Sequence, residues 1–159
     1  MRYAQIRKMD ISNGYGIGVS LFVQGCSRHC KGCFNKDTWD FNGGELYTSE
    51  TRDQILSLLK NEHIKRLSIL GGEPFEPINM PDVYDLINHT RILYGYNKKI
   101  WIYSGYTYVE LFSLGKIARK ILNNVDYLVD GAFDYSQKDL KLQFRGSSNQ
   151  NIIHLREDL

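Results

Sequence analysis

The sequence lacks three features that would each indicate a particular class of protein. No apolar run approaches the roughly 18 residues that a membrane-spanning helix needs. The first ten residues, MRYAQIRKMD, have no apolar segment of the kind found in signal peptides. Lys and Arg number 20 against 18 Asp and Glu, so no excess charge indicates nucleic acid or a membrane surface as a partner. We therefore expect a cytoplasmic protein without either partner.

Cysteine is also scarce, because the chain has only three. Cys26, Cys30 and Cys33 stand in one short stretch with the spacing C-x3-C-x2-C. An odd number does not suit a disulfide framework, and clustered thiols in a reducing compartment bind metal. A structural zinc site is closed by four ligands, whereas three protein ligands leave a coordination position open for a substrate. The stretch therefore predicts a metal centre at which chemistry takes place.

The cysteines alone do not identify the metal. Thiolates are typical ligands of iron–sulfur clusters, zinc and copper(I). A four-iron cluster held by three cysteines would have one iron open to a small molecule that chelates it. Zinc would need a fourth protein ligand, and His29 is the only local candidate. A zinc-binding module without enzymatic activity is therefore the alternative from another functional class.

Short apolar runs alternate with helical patterns, which predicts an α/β fold with a mostly parallel sheet. Strands are predicted at residues 17–23, 66–70, 100–103 and 126–129, with weaker candidates at 140–144 and 152–155. Helices are predicted at about 48–61, 80–95 and 107–123, the last broken near Gly115. Residues 1–16 are predicted to form a turn-rich segment and residues 34–47 a long loop. The chain has 159 residues, against about 250 in a complete eight-unit barrel, so we expect one domain, 1–159, forming an open, partial (β/α) barrel.

The predicted strands end in motifs that we expect to meet at one edge of the sheet. The cysteine stretch, residues 71–74 (GGEP), residues 104–105 (SG) and residues 130–131 (DG) each follow a predicted strand directly. Right-handed crossovers bring the carboxyl ends of parallel strands to the same edge, where α/β enzymes hold their sites. Glycine at 71 and 72 allows the backbone to approach a ligand closely, and Glu73 can accept a hydrogen bond from a cationic amine.

Several further stretches accompany the cysteine motif and the GGEP turn, and they span nearly the whole chain in order. They are NGYG (13–16), LFVQGC (21–26), CKGCFNKDTW (30–39), WIYSGY (101–106), LVDG (128–131) and FRGSSNQ (144–150). The cysteine spacing resembles that of the radical S-adenosylmethionine superfamily. The region around Trp39, WIYSGY and FRGSSNQ narrow the resemblance to the activating proteins of anaerobic ribonucleoside-triphosphate reductase.

This resemblance implies a function, a cofactor and partners. A [4Fe–4S] cluster would sit on Cys26, Cys30 and Cys33 and chelate S-adenosylmethionine at its open iron. Reductive cleavage, with an electron from an external donor such as a flavodoxin, would give a 5′-deoxyadenosyl radical. That radical would take hydrogen from a glycine of the reductase catalytic chain, leaving a glycyl radical. The resemblance implies no catalytic residue beyond the cluster ligands. Activation of another glycyl-radical enzyme is the alternative within the superfamily.

The resemblance also implies the residues that contact the cofactor. Gly72 and Glu73 match the family's contact to the amino group of S-adenosylmethionine, and Gly32 and Phe34 match contacts to its adenine or to the backbone. The sequence departs from the family at two positions. Many members have an aromatic residue where this chain has Gly32, so Phe34 is expected to cover the adenine. Relatives commonly have arginine where this chain has Gly18, so the role of that arginine is open here.

A few polar residues remain as further candidates, each with a simpler alternative. Asp130 ends a predicted strand and either serves the site or forms an ordinary turn. Tyr103 and Ser104 either line the cofactor pocket or simply pack at the strand end. Residues 145–150 either contact the site or the partner reductase, or form a solvated connection.

Overall fold

The computed structural model describes residues 1–156 and has a mixed α/β fold built on one sheet. Its strands are β1 (Arg2–Asp10), β2 (Gly18–Val23), β3 (Glu45–Leu46), β4 (Arg66–Gly71), β5 (Lys99–Tyr103), β6 (Tyr127–Asp130) and β7 (Asn151–His154). Its helices are α1 (Ser49–Leu58), α2 (Met80–Tyr94), α3 (Tyr108–Phe112) and α4 (Lys116–Leu122). Single 3-10 turns lie at Lys36–Thr38 and Tyr135–Gln137.

The sheet has seven strands in the order β3-β1-β2-β4-β5-β6-β7. The four central strands, β2, β4, β5 and β6, pair in parallel, which confirms the predicted α/β class. The outer strands β1, β3 and β7 pair antiparallel to their neighbours. Within residues 1–156 the end strands β3 and β7 do not pair with each other, so the sheet is open. Its curvature into a partial barrel stays a prediction.

One face of the sheet packs against the helices and forms the hydrophobic core. Successive side chains of a strand point to opposite faces, so alternate residues of the central strands enter this core. Its fully buried members include Val19, Leu21, Leu67, Ile69, Ile100, Ile102 and Leu128 from the sheet and Ile55, Leu86, Ile87 and Ile121 from the helices. The opposite face carries polar and aromatic side chains, and it is the face on which the site lies.

The helices begin and end largely as predicted. Thr107 caps α3 in a capping box in which its hydroxyl accepts a hydrogen bond from the backbone N–H of Glu110 at 3.3 Å. Gly115, with a φ of 127°, separates α3 from α4, which confirms the predicted break. No helix within residues 1–156 is long and apolar enough to cross a membrane.

Two predictions about secondary structure are wrong. Residues 1–16 are not simply turn-rich, because β1 occupies most of them and pairs with β2. This strand contains mostly polar residues and lies partly exposed, so it lacks the apolar pattern of a buried strand. Residues 140–144 do not form a strand; they belong to a connection that is closed by the isolated bridge between Lys138 and Ser147. The predicted loop at 34–47 also contains β3 and a 3-10 turn.

Candidate functional site

A cavity of about 480 Å³ lies over the face of the sheet opposite the helices. Phe22, Leu70, Tyr103 and Val129, one from each central strand, contribute to its wall. The cavity reaches the carboxyl ends of these strands, where the turns expected to carry chemistry lie. Six of the seven residues expected to hold the cluster or the cofactor line it, namely Cys26, Cys30, Cys33, Phe34, Gly72 and Glu73.

The three cysteines are free thiols, each partly buried. Burial raises the pKa of the Cys26 and Cys30 thiols above the usual value. Iron binds the thiolate, so loading a cluster onto this loop must release protons. Three soft ligands on one short loop beside a cavity are the donor set of a [4Fe–4S] cluster with one open iron. The residues present therefore fit that group.

The side chains of the described residues do not form a closed zinc site. Sulfur ligands of one tetrahedral zinc lie roughly 3.8 Å apart, whereas the cysteines of a cluster bind separate iron atoms. Among residues 1–156, no three His, Cys, Asp or Glu side chains come close enough to hold one ion. His29, the proposed fourth zinc ligand, stacks on Trp39 with ring centroids 4.4 Å apart and an interplanar angle of 10°. Its ring therefore packs within the loop.

The cysteine loop is held in place from two sides. The backbone N–H of Cys26 donates to the carbonyl of Trp39 at 3.2 Å. On the other side, Ser27 donates twice to one carboxylate oxygen of Glu76, from its N–H at 3.0 Å and its hydroxyl at 2.7 Å. Glu76 is buried and stands three residues after Glu73, so the turn that follows β4 also positions the cysteine loop.

Glu73 is buried, and both oxygens of its carboxylate accept hydrogen bonds from other residues of the protein. Its two oxygens accept hydrogen bonds from the Ser104 hydroxyl at 3.1 and 3.0 Å. They also accept from the N–H of Gly105 at 2.8 Å and from the N–H of Phe75 at 3.0 Å. Burial raises the pKa of this carboxyl to about 7, against these hydrogen bonds, which favour the charged form. Glu73 thereby joins the turns that follow β4 and β5.

Gly72 is a position at which two turns approach too closely for a side chain. A Cβ there would lie 2.5 Å from the carbonyl oxygen of Gly25, the residue before the first cysteine. The backbone of Glu73 also donates to that carbonyl, at 2.8 Å. The glycine predicted to contact the cofactor therefore also brings the turn after β4 against the base of the cysteine loop.

Gly32 and Phe34 are each contacted by an aromatic ring from the segment after β6. The ring of Tyr135 lies against Gly32 and fills the space that a side chain there would enter. Phe34 packs on Phe133, with ring centroids 5.1 Å apart, and on Gly146. Phe34 is still largely exposed, so its contact to adenine stays a prediction.

The space at Gly18 is filled by a residue that sequence reasoning missed. Gly18 and Arg66 are direct partners on the parallel strands β2 and β4, and the Arg66 side chain occupies the position of the absent Cβ. The Arg66 guanidinium is fully buried and donates to the carbonyl of Asp10 at 2.5 Å and to the Ser68 hydroxyl at 2.7 Å. The Asp10 carboxylate, 3.6 Å away, accepts from Ser20 and balances the charge. In the sequence, the glycine at 18 was the one signal of this cluster, as a position at which the resemblance to the family led us to expect arginine.

The other candidates separate into two groups. Asp130 does not line the cavity, and one oxygen of its buried carboxylate accepts a hydrogen bond from the N–H of Tyr108 at 2.8 Å at the start of α3. Tyr103 and Ser104 do line the cavity. Arg145 and Gln150 line it as well, so the 145–150 segment faces the site.

The comparisons with known proteins agree with this geometry. The family model described as "4Fe-4S single cluster domain" matches residues 12–153, which include all three cysteines. The chain is 40% identical over 158 residues to the anaerobic ribonucleoside-triphosphate reductase-activating protein of Escherichia coli (strain K12), covering 98% of this chain and 100% of that protein.

Similar proteins occur beyond that species. The protein of the same name from Vibrio cholerae is 41% identical over 156 residues, covering 97% of each chain. That from Enterobacteria phage T4 is 34% identical over 152 residues, covering 96% of this chain and 93% of the phage protein. Matches at this identity over nearly the full length of both chains show shared family membership. The chain belongs to the family of anaerobic ribonucleoside-triphosphate reductase-activating proteins.

Proposed function

We propose that this protein activates an anaerobic ribonucleoside-triphosphate reductase as a radical S-adenosylmethionine enzyme. Cys26, Cys30 and Cys33 would hold a [4Fe–4S] cluster, and its chemistry would be to pass one electron from an external donor to S-adenosylmethionine, whose carbon–sulfur bond breaks to give methionine and a 5′-deoxyadenosyl radical. That radical would take a hydrogen atom from a glycine of the reductase, giving 5′-deoxyadenosine and a glycyl radical. The observation that carries the proposal is that three free cysteines and the GGEP turn line one cavity. Membership of the activating-protein family supports the reductase as the partner.

In this proposal Cys26, Cys30 and Cys33 hold the cluster, and the turn after β4 receives the amino group of S-adenosylmethionine. Glu73 already accepts hydrogen bonds from three residues, so it acts by fixing the shape of that turn and by placing negative charge beside the amine. Gly72 keeps the turn against the cysteine loop. A cationic ligand beside Glu73 would favour its charged form, so ligand binding is expected to release a proton near pH 7.

The walls of the cavity would protect a reactive radical from water. Phe22, Leu70 and Val129 form an apolar floor, and Phe133 and Phe144 stand at the side of the same cavity. A site that excludes water prevents side reactions of reactive intermediates. Hydrogen abstraction needs no proton transfer, so the absence of an assigned acid–base pair does not conflict with this chemistry.

Further details belong to the same proposal. An external protein such as a flavodoxin supplies the electron, and Phe34 and the backbone at Gly32 contact the adenosine part of the cofactor. The chain forms one domain whose sheet curves as a partial barrel around the reacting groups, and it works in the cytoplasm. The family assignment favours the reductase over other glycyl-radical enzymes as the substrate.

Anaerobic reconstitution with iron and sulfide tests the cofactor. The wild type should turn brown and absorb broadly in the visible range. Cys30→Ala should lose this absorption, whereas the matched control His29→Ala should keep it. A colourless protein that retains one tightly bound zinc would refute the proposal.

Two further measurements test the reaction. The reduced protein with S-adenosylmethionine should release 5′-deoxyadenosine, and adding the reductase should give the electron-paramagnetic-resonance doublet of a glycyl radical. If only a pyruvate formate-lyase-like protein gains the radical, the reductase is not the substrate.

A further inference from the structure

Arg145 is a cavity residue whose buried guanidinium nitrogen, Nε, has no hydrogen-bond partner among residues 1–156. No carboxylate within the described part of the chain pairs with it. A buried donor of this kind costs free energy unless something else binds it. Arg145 is therefore placed to meet a group that the protein itself does not supply.

The backbone before Arg145 adopts a costly conformation. Phe144 has a φ of 62°, a left-handed conformation that costs an L-residue with a large side chain roughly 1–2 kcal/mol. Packing compensates for this cost, because the Phe144 ring meets Trp101 edge-on with centroids 5.4 Å apart. Strained backbone of this kind persists where surrounding contacts hold it, and it is frequent at binding sites. Here it directs the chain so that the next residue reaches the cavity.

The segment after Arg145 is fixed by a single side chain. The amide oxygen of Gln150 accepts hydrogen bonds from the N–H of Gly146 at 2.9 Å and of Ser147 at 3.1 Å. Its amide nitrogen donates to the carbonyl of Gly131, at the end of β6, at 3.0 Å. Arg145 is thus held between an anchored turn on one side and a packed aromatic ring on the other. A side chain that positions a ligand needs a backbone held in one conformation, and these contacts provide it at Arg145.

The cavity around Arg145 offers donors and has almost no free acceptor on charged side chains. Arg7 and Arg28 also line it, and neither forms an ion pair with any of residues 1–156. The Tyr103 hydroxyl is buried without a partner. Among residues 1–156, Glu73 is the one carboxylate that lines the cavity, and it is buried and already accepts hydrogen bonds from the protein. A ligand that presents oxygen atoms able to accept hydrogen bonds would therefore fit this cavity.

The position of Arg145 distinguishes between two sources of such oxygens. Arg28 lies in the cysteine loop, and its charge acts on Cys30 and Glu73, so a carboxylate beside the cluster would meet Arg28 first. Arg145 lies between Phe144, whose ring packs on Trp101 of the sheet, and Gly146, which packs on Phe34 beside the last cysteine. Arg145 thus lines the cavity between the sheet and the cluster loop, and its buried donor stays available to a second ligand, the substrate peptide.

We propose that Arg145 binds backbone carbonyl oxygens of the reductase segment that carries the target glycine, with the Tyr103 hydroxyl as a second donor on the cavity floor. An extended peptide presents one carbonyl oxygen per residue, and a guanidinium can bind two acceptors at once. Arg145 is a positioning residue in this scheme, because it holds the glycine toward the cofactor and takes part in no bond change. The inference rests on the proposed function.

The test compares Arg145→Gln and Arg145→Lys with the wild type, all loaded with cluster. Arg119→Gln is the matched control, since Arg119 lies on α4 away from the cavity. Arg145→Gln should release 5′-deoxyadenosine without reductase within about twofold of the wild-type rate. Its affinity for the reductase, and its glycyl radical per 5′-deoxyadenosine, should fall about tenfold or more, as expected for loss of a charged hydrogen bond. Arg145→Lys should recover part of both losses, and Tyr103→Phe should show a smaller loss of the same kind.

Three results would overturn the inference. One is an unchanged affinity and radical yield in Arg145→Gln. Another is an equal loss in Arg119→Gln, which would show a general effect of removing surface charge. The third is a parallel loss of reductase-free cleavage, which would show that Arg145 binds the carboxylate of S-adenosylmethionine. If the wild type forms no glycyl radical, the proposed function fails, and the affinity comparison still decides the role of Arg145.

Discussion

The buried arginine at position 66 can be tested by moving it to the neighbouring strand. Gly18 and Arg66 are partners in the parallel pairing of β2 and β4, and the Arg66 side chain fills the space over Gly18. Neighbouring strands lie about 4.8 Å apart, a distance that a long, flexible side chain can span. The double variant Gly18→Arg/Arg66→Gly should therefore bring a guanidinium back to Asp10 from the other strand.

The expected free energies follow from the contacts. Arg66→Gly leaves the Asp10 carboxylate, 4% exposed, without its cation, which should lower the free energy of unfolding by about 3–5 kcal/mol. Gly18→Arg alone forces a second guanidinium into space that Arg66 already fills, which should cost at least about 3 kcal/mol. The double variant should be no less stable than either single variant. The two substitutions should thus show a favourable interaction energy of about 3 kcal/mol.

Urea unfolding of the cluster-free protein, followed by the fluorescence of buried Trp101, measures these values. Arg91 provides a matched control, because it forms a second buried ion pair, with Asp126 at 2.7 Å, away from Gly18. Gly18→Arg should not rescue Arg91→Gly. If the double variant at 18 and 66 is as unstable as the sum of the two single variants, the reasoning about Arg66 and Gly18 is refuted.

Three shorter predictions concern the turn after β4 and the cysteine loop. The folded pKa of Glu73, about 7, lies above its usual 4.5, so its contribution to stability is present below pH 4.5 and is lost as the pH rises through 7. Urea unfolding at pH 5 and pH 8 should show this loss, about 3 kcal/mol, in the wild type and not in Glu73→Gln. Glu76→Ala removes the acceptor of both Ser27 hydrogen bonds, worth about 2 kcal/mol, and should speed cluster loss to a chelator by about thirtyfold. His29→Ala should keep its iron content within about a tenth of the wild-type value, whereas a zinc site using His29 would lose its metal.

The strands and helices that could be predicted are those whose sequence contains a recognisable pattern within a few neighbouring residues. The central strands are short apolar runs ended by glycine, and α3 begins with a capping box visible as Thr107 and Glu110. By contrast, β1 has no such signal, because it lies near one edge of the sheet and needs few apolar residues. Residues 140–144 contain alternating apolar residues, yet their backbone follows tertiary contacts of Phe144 rather than a strand ladder. Local pattern alone could not distinguish these cases.

In the candidate site, too, the residues that lie close together in the sequence could be predicted, and the contacts between distant residues could not. The three cysteines stand within one short stretch of the sequence, so their grouping could be predicted without the structure. The bond between Glu73 and Ser104 joins residues 31 positions apart, and that between Ser27 and Glu76 joins residues 49 apart. Contacts over such separations leave no spacing that a single sequence reveals. The sequence thus indicates which groups carry the chemistry, and the structure indicates what holds them.

The two positions at which the sequence departs from the pattern expected of the resemblance, Gly18 and Gly32, have one physical explanation. At both positions the chain has glycine, and at both a long side chain from a distant segment fills the space: Arg66 at Gly18 and Tyr135 at Gly32. A packed protein interior leaves few voids, so removing a side chain at one position requires another group to take its volume. A family residue that is missing from the sequence is therefore not evidence that its chemical role is missing. Its replacement has to be sought among the neighbours in space, and at Gly18 the neighbour also supplies the same guanidinium charge.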